Sequence, residues 1–587
     1  MRMRIRKLSL LIWTIVFVGT TFSCEKDSRY ADLILLNGNV YTFSWPDPDR
    51  DGNPARSAPV ENGRWYADAE AVAIKDGDIL SIGSADQMKI FTGLNTRLID
   101  LQGATLLPGL VDSHTHVAGL GARLTRVDLF GVETEEEAIR LVAERAAETP
   151  AGEWIIGWGW NEGAWASNYP TLERLSKAIP NHPVILKSLH GFAIWGNQLA
   201  FEKSGITSET EPPVGGIILK DEQGNPSGVV LNRATTLLND AIPSPTIRQT
   251  RDLLKAGLQE MARSGFVMVH EAGCGTNQMT AMEAMERDGD LSVRVYAMLS
   301  ARDEALMRHW IDQGPDKDLD GMLMTRSVKG YYDGALGSRG ARLLEDYSDK
   351  PGHKGVSGEG YGFDESIVEK AMKVGFQVGI HAIGDAGNRE TLDFFQSVFS
   401  ESPKTRRGRH RIEHAQIIHP DDFERFVDMD IIASMQPPHA VEDKLWAEER
   451  LGPDRVKGGY AWRKLRKMGV KLVFDSDLAG SDHDIFYGLH AAMTRRDKFI
   501  QPPEGWYPDQ KMSPEEALRG YTVWAAYAGF LEKQTGTIEK GKWADITVMN
   551  IDPLNIGETE PEELFQGEIL LTIVRGNVVF EKAGQFR

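Results

Sequence analysis

The middle of the chain, from about residue 106 to 530, repeats one pattern: a segment with helical periodicity is followed at once by a short apolar run. Examples are "TRDLLKAGLQEMARSG" before "FVMVHEAG" and "SIVEKAMKVG" before "FQVGIHAIGD". Helices that alternate with strands in this way are typical of a parallel sheet, because parallel neighbours need a long crossover. The number of repeats favours an α/β fold of the closed (β/α)8 TIM-like barrel type over an open sheet.

The two ends of the chain have a different pattern. "ADLILLNGNVYTF" and "AEAVAIKDGDILSIG" near the start, and "ILLTIVRGNVVFEKAG" near the end, are β-rich runs broken by Asn-Gly or Asp-Gly turns or by a Gly-Asn step. We therefore expect residues 31–105 and 531–587 to form one small β-sandwich domain beside a barrel of residues 106–530. The stretch of about residues 125–250 is too long for a connecting loop, so we expect an insert, or lid, after the first barrel strand.

The first residues predict export. "MRMRIRK" is basic, "LSLLIWTIVFVG" is an apolar core of signal-peptide length, and Cys24 follows in "TTFSC". This arrangement resembles a bacterial lipoprotein processing site, although Thr21 stands where an aliphatic residue is usual. We expect residues 1–23 to be a signal peptide, residues 24–30 a tether, and Cys24 a lipid anchor on a membrane of the cell envelope. A plain secretory signal is the alternative.

The charge and the cysteines exclude some classes of protein. The formal net charge of −19 argues against a nucleic-acid partner, because phosphates favour a basic surface. The second of the two cysteines, Cys274 in "VHEAGCG", is interpreted as a small buried residue and not as a catalytic thiol. The sequence leaves the oligomeric state open.

Polar residues recur at the ends of the predicted strands, where α/β barrels carry their active sites. In "LLPGLVDSHTHV" the two histidines are at positions i and i+2, on one face of a strand. The strand-end residues are His114, His116, His270 with Glu271, Lys329, His381, His414 and Asp477. A lone histidine at a strand end is more often structural, but this recurrence favours a metal centre. Neutral imidazoles with a carboxylate suit a divalent ion such as zinc, which activates water, and Asp477 is placed to accept the proton.

Several motifs in this order resemble a known family. "PGLVDSHTH", a mid-chain lysine, "IHAIGD", "IEHAQ" and a late "SD" resemble the metal-dependent amidohydrolase superfamily. "GWGWNEGAW", "KGYYDGALGSRGA" and "GTIEKGKWADITVMN" resemble its amidohydrolase 3 branch, typified by YtcJ-like proteins and N-substituted formamide deformylases. The resemblance runs from about residue 31 to 587. It implies a hydrolase that acts on a carbon–nitrogen bond of a small molecule.

The resemblance also implies a ligand set for one or two ions. The implied residues are His114 and His116 for the first metal, His381 and His414 for the second, Lys329 as a carbamate that bridges them, and Asp477 as the residue that orients and deprotonates water. A barrel lysine paired with Asp333 is the alternative for Lys329. Asp475 in "DSDLAG" competes with Asp477 for its role, and is otherwise a positioning partner on the same strand face.

A further set of residues is expected to contact substrate. These candidates are Trp160, His190, Arg339 and Glu271. For the tryptophan, filling the core of the insert is the alternative, and for Arg339 an ion pair with Glu345 or Asp346. Glu271 stands where relatives commonly carry aspartate. We interpret it as a residue that supports the site or makes an accessory contact there.

The leading hypothesis is a metal-dependent hydrolase of a non-peptide amide, with Asp477 as general base and then acid. A hydrolase of esters, lactones or cyclic amides is an alternative on the same site, because these residues do not dictate the leaving atom. A non-catalytic binding lipoprotein is the alternative from another class, and metal analysis distinguishes it.

Overall fold

The structure is a computed structural model, and it describes residues 29–160, 169–188, 192–213 and 215–586. The predicted signal peptide, Cys24 and the candidate residue His190 therefore lie outside the described residues. Within those ranges, no helix combines the length and the apolar character that crossing a bilayer requires.

Eight parallel strands form a barrel, and we number them β1 to β8 in chain order. They are β1 (Leu110–Thr115), β2 (Phe266–Cys274), β3 (Arg294–Ser300), β4 (Leu323–Tyr331), β5 (Gln377–Ala382), β6 (Arg411–His414), β7 (Ile432–Met435) and β8 (Leu472–Phe474). Each strand pairs in parallel with the next one along the chain. A parallel bridge between Thr115 and Leu478 joins the first strand to the segment after the last. The barrel is close to full closure, and the predicted TIM-like barrel is confirmed.

Helices connect the strands, and their sequences show why they form. The helix Ile247–Arg263 begins with a capping box of Thr246 and Gln249 and buries Leu254 and Leu258 along one face. The other helices from β1 onward, outside the insert, are Val117–Thr125, Thr276–Asp288, Glu304–Gln313, Glu365–Val374, Asp385–Glu401, Phe423–Asp428, Pro437–Asp443, Ala447–Arg455, Trp462–Met468, Ile485–Thr494, Pro514–Gly520, Val523–Ala528 and Pro553–Thr559.

Strands from both chain ends share one sheet, as the sequence predicts. The five-stranded sheet contains Asn39–Val40, Thr105–Pro108, Ile546–Met549, Ile569–Val574 and Asn577–Glu581. A four-stranded sheet contains Leu33–Leu36, Ala71–Lys75, Asp78–Gly83 and Arg97–Asp100. One buried cluster joins the two sheets, with Leu35 and Val72 from the smaller sheet and Leu106 and Val548 from the larger. The separate β-sandwich domain and its boundaries stay a prediction.

The segment after β1 contains a sheet of its own. Its strands are Val127–Asp128, Ile155–Trp160, Val184–Ser188, Ala193–Gly196, Gly216–Lys220 and Pro226–Asn232, with helices Glu135–Glu148, Leu172–Ala178, Gln198–Lys203 and Thr235–Asn239. Trp160 is fully buried in the core of this sheet, and its indole Nε1 donates to the Leu186 carbonyl at 2.7 Å. Trp195 lies in the same core. The structure therefore favours the core-filling alternative for Trp160 over contact with substrate.

Candidate metal centre

The backbone hydrogen bonds that close the barrel also fix the position of Asp477. The Asp477 amide donates to the His114 carbonyl at 3.0 Å, and the His116 amide donates to the Leu478 carbonyl at 2.7 Å. The segment after β8 is thus tied to the end of β1. Asp477 lies beside His114 and His116 because the last and first strands of a closed barrel are neighbours.

The Asp477 carboxylate faces imidazoles from three parts of the barrel. Its Oδ1 is 3.3 Å from His116 Nε2 and 3.8 Å from His114 Nε2. Its Oδ2 is 3.9 Å from His414 Nδ1 and 3.9 Å from His439 Nε2. Burial raises the pKa of Asp477, but the hydrogen bond of His116 and the charges of the other imidazoles lower that pKa well below its usual range. The carboxylate is therefore ionised.

These side chains form two donor groups that share Asp477. The first donor group is His114, His116 and Asp477, and the second donor group is His414, His439 and Asp477. Within each group the donor atoms lie within 4.8 Å of one another. Two ligands of one tetrahedral zinc ion lie roughly 3.3 Å apart, since a Zn–N bond is about 2.0 Å long. The donor types and their spacing fit a divalent metal.

His114 is oriented by a buried carboxylate. Its Nδ1 is 2.5 Å from Glu413 Oε2, and both side chains are fully buried. Glu413 also accepts from the Arg411 guanidinium at 2.7 Å. Burial lowers the pKa of His114 to about 4, so the ring is neutral near pH 7 and carries its proton on Nδ1, toward Glu413. This leaves the Nε2 lone pair for a metal.

His414 is oriented in the same way, through an amide. Gln436 Nε2 donates to Asp475 Oδ1 at 2.6 Å, which leaves Gln436 Oε1 to accept from His414 Nδ1 at 2.9 Å. Ser434 Oγ also donates to Asp475, at 2.7 Å. The Nε2 of His414 is therefore the nitrogen available to a metal, and Asp475 is a positioning partner of the site, as the alternative reading of its sequence stated.

Lys329 contacts the first donor group through His114. The side chain is buried, and its Nζ is 2.9 Å from His114 Nε2. Burial lowers the pKa of Lys329 to about 8. Within the described part of the chain, Lys329 has no ion pair with a carboxylate. Asp333, the partner that sequence reasoning offered for it, instead accepts from the amides of Ile383 and Gly384, each at 2.9 Å.

His381 lies close to the site but outside both donor groups. Its ring centroid is 4.5 Å from that of His414, and its Nε2 is 3.7 Å from Asp333 Oδ1. That Nε2 is buried and has no hydrogen-bond partner among the described residues. Burial lowers the pKa of His381 to about 3, so the ring is neutral.

The backbone at the mouth adopts unusual conformations. His414 has φ +75° and Asp477 has φ +52°, in the left-handed region that favours glycine. Each such residue costs on the order of 1 kcal/mol and persists only where its surroundings hold it. The packing around His414 and Asp477 therefore holds these two residues in place.

Two other candidate residues have structural partners. Arg339 makes a two-pronged ion pair with Asp349, with Nε–Oδ1 at 3.1 Å and Nη2–Oδ2 at 2.6 Å. An ion pair was the alternative reading, but its predicted partners, Glu345 and Asp346, were wrong. Glu271 is buried, and its Oε2 accepts from Thr115 Oγ1 at 3.0 Å and from the Val117 amide at 2.8 Å.

Glu271 therefore supports the turn that carries His116, and its burial argues against contact with substrate. Cys274 is buried too, and its thiol donates to the Glu271 carbonyl at 3.2 Å. This agrees with the reading of Cys274 as a small buried residue.

Sequence reasoning missed several residues of the site. They are Arg411, Glu413, Gln436 and His439. His439 lies in the helix Pro437–Asp443, four residues beyond the end of β7, whereas the sequence prediction rested on residues at the strand ends. Arg411 and Glu413 are two residues apart on β6 and therefore lie on the same face of that strand. Opposite charges at that spacing could have identified an ion pair from the sequence.

The chain is similar to known proteins over most of its length. The sequence pattern of the Amidohydrolase family matches residues 97–580. YtcJ from Bacillus subtilis is 32% identical over 526 residues, which cover 88% of this chain and 96% of YtcJ. The N-substituted formamide deformylase of Arthrobacter pascens is 25% identical over 576 residues, 95% of this chain and 100% of that protein. The crystal structure of an uncharacterised metal-dependent hydrolase from Pyrococcus furiosus superposes with a TM-score of 0.69 at 26% identity, covering 89% of this chain and 99% of the other.

Proposed function

The chain belongs to the amidohydrolase family and is a hydrolase, and on that premise we propose that it hydrolyses a non-peptide carbon–nitrogen bond of the amide or formamide type, using a divalent metal, with zinc as the first candidate. The observation that carries this proposal is the convergence of four imidazoles on the Asp477 carboxylate. The similarity to a formamide deformylase over nearly the whole chain supports the choice of bond.

The side chains take separate parts in this reaction. A divalent ion bound at the mouth supplies Lewis acidity, which lowers the pKa of water and polarises a carbonyl group. His114, His116 and His414 would be among the ligands at the two donor groups, and the buried Glu413 and Gln436 fix which nitrogen of His114 and of His414 would face a metal. Asp477 is ionised and 20% exposed, so it can accept a proton from the attacking water and pass it to the departing nitrogen.

We further propose that Lys329 is carboxylated. Because burial lowers the pKa of Lys329 to about 8, a share of its amine is neutral near physiological pH. The neutral nitrogen attacks carbon dioxide, a nitrogen–carbon bond forms, and one proton is released. The product is an anionic carbamate, and its oxygens suit a site where a free ammonium would repel a cation.

Incubation with ¹³C-bicarbonate is expected to give a carbamate carbon signal in the NMR spectrum of the metal-loaded protein. The K329M variant is expected to lack it, since the reacting nitrogen is gone. An equal signal in K329M, or none in the unaltered protein, would contradict carboxylation at this residue.

A substrate panel tests the reaction class. We expect release of an amine from N-substituted formamides or N-acyl amino acids, loss of that activity on dialysis against a chelator, and its recovery with zinc or manganese. Cyclic ureides and aryl esters belong in the same panel. Hydrolysis of esters alone, or full activity in a protein shown to be metal-free, is the outcome that would remove the proposal.

Export and lipid attachment at Cys24 stay a proposal from the sequence of residues 1–24. The measurement is whether the unaltered chain, but not a C24S variant, is recovered with membranes after expression in bacteria.

A further inference from the structure

We propose that His439 is a metal ligand and that the second donor group, His414 with His439 and Asp477, holds an ion of its own. This inference rests on the proposed function, because both require a metal centre at the barrel mouth. It goes further by assigning a ligand on the helix after β7, which neither the motifs nor the resemblance pointed to.

The orientation of Asp477 is the first argument. Its Oδ1 faces His116 at 3.3 Å, whereas its Oδ2 faces His439 at 3.9 Å. The two oxygens of this carboxylate thus point to two different pairs of imidazoles. Paired metal ions in hydrolases are about 3.5–4 Å apart, a distance that one bridging carboxylate can span.

The fixed position of His439 is the second argument. Its helix is anchored at its end by Asp443, which accepts from Tyr460 OH at 2.6 Å. The neighbouring Glu442 accepts from Ser481 Oγ at 3.1 Å, and Ser481 lies in the segment that carries Asp477. The helix and the Asp477 segment are therefore held together. The His439 side chain is 20% exposed and stays accessible to an ion that enters from the mouth.

The relation of His439 to His414 is the third argument. Their rings are stacked, with centroids 6.2 Å apart and planes 18° apart. Gln436 Oε1 accepts the proton of His414 Nδ1, so the lone pair of the His414 ring is on Nε2. A neutral imidazole, a second imidazole and a carboxylate are a ligand set that zinc accepts, with a fourth position open.

Metal titration of the apoprotein tests the assignment. We expect the unaltered protein to bind a first and then a second equivalent of zinc, as counted by calorimetry and elemental analysis. In H439N the affinity for the second equivalent is expected to fall by at least about tenfold, since loss of even a supporting partner has an effect of that size. H309N is the matched control, because His309 is an exposed histidine whose Nε2 contacts Gln313 on its own helix.

A ligand exchange gives a positive readout that does not depend on activity. With cobalt bound, H439C is expected to show a thiolate-to-cobalt charge-transfer band that the unaltered protein and H309C lack. This variant decides the matter if H439N does not fold.

Three results would overturn the inference: a single equivalent in the unaltered protein, an unchanged second equivalent in H439N, or no charge-transfer band in cobalt-loaded H439C. A single equivalent would leave the proposed hydrolase intact. An unaltered protein that binds no metal at all would end both proposals.

Discussion

Replacement of Asp477 by asparagine is expected to lower kcat by about 10²–10⁴-fold, the range that loss of a positioned general base produces. The amide is nearly isosteric with the carboxylate, so the fold should be unchanged, but it cannot take a proton from water at neutral pH. The pKa of Asp477 is lowered well below its usual range, so this carboxylate is ionised at neutral pH. The assay is steady-state kinetics on the best substrate of the panel, at saturating metal.

Saturating metal matters because Asp477 also faces every imidazole of the two donor groups. Metal content is therefore measured alongside kcat, so that loss of chemistry is separated from loss of the ion. D482N is the matched control, since Asp482 lies in the same segment and pairs with Lys498. A D477N enzyme that holds its metal and keeps more than about a tenth of kcat would remove Asp477 as the general base.

Replacement of Glu413 by glutamine is expected to destabilise the protein by about 3–5 kcal/mol. The change leaves the fully buried Arg411 without its partner charge, and breaking a buried pair from one side has that effect. It also weakens the hydrogen bond that orients His114, so metal affinity should fall by about 10–100-fold. Urea unfolding and zinc titration measure the two effects.

E532Q is the matched control for the ion pair. Glu532 pairs with Arg409 at 2.7 Å, and both side chains are partly exposed, so its loss is expected to change the free energy of unfolding by less than about 1 kcal/mol. Equal free energies of unfolding for E413Q and E532Q would contradict the stabilisation expected from the buried pair.

The sequence predicted the part of the site that is local. His114 lies on β1, His116 directly follows Thr115 at the end of that strand, and Asp477 follows the last strand, so barrel topology brings the three together. The alternation of helices and strands likewise predicted the barrel. These inferences succeeded because each rests on a period or on a strand end that can be read directly from the chain.

The remainder depends on packing between distant segments. Arg339 meets Asp349 and neither of the acidic residues predicted for it, because the path of an irregular loop is set by tertiary contacts. Trp160 lies in the buried core of the insert. Sequence periodicity does not distinguish a tryptophan that fills a core from one that lines a pocket. His439 was missed because a helix returns it to the mouth after the chain has left the strand.

Anomalous scattering from crystals grown with zinc shows whether the side chains around Asp477 bind a metal. Our expectation is a peak at the barrel mouth about 2.0–2.2 Å from His114 Nε2, His116 Nε2 and an oxygen of Asp477. Zinc bound elsewhere on a protein whose mouth shows no peak would contradict it.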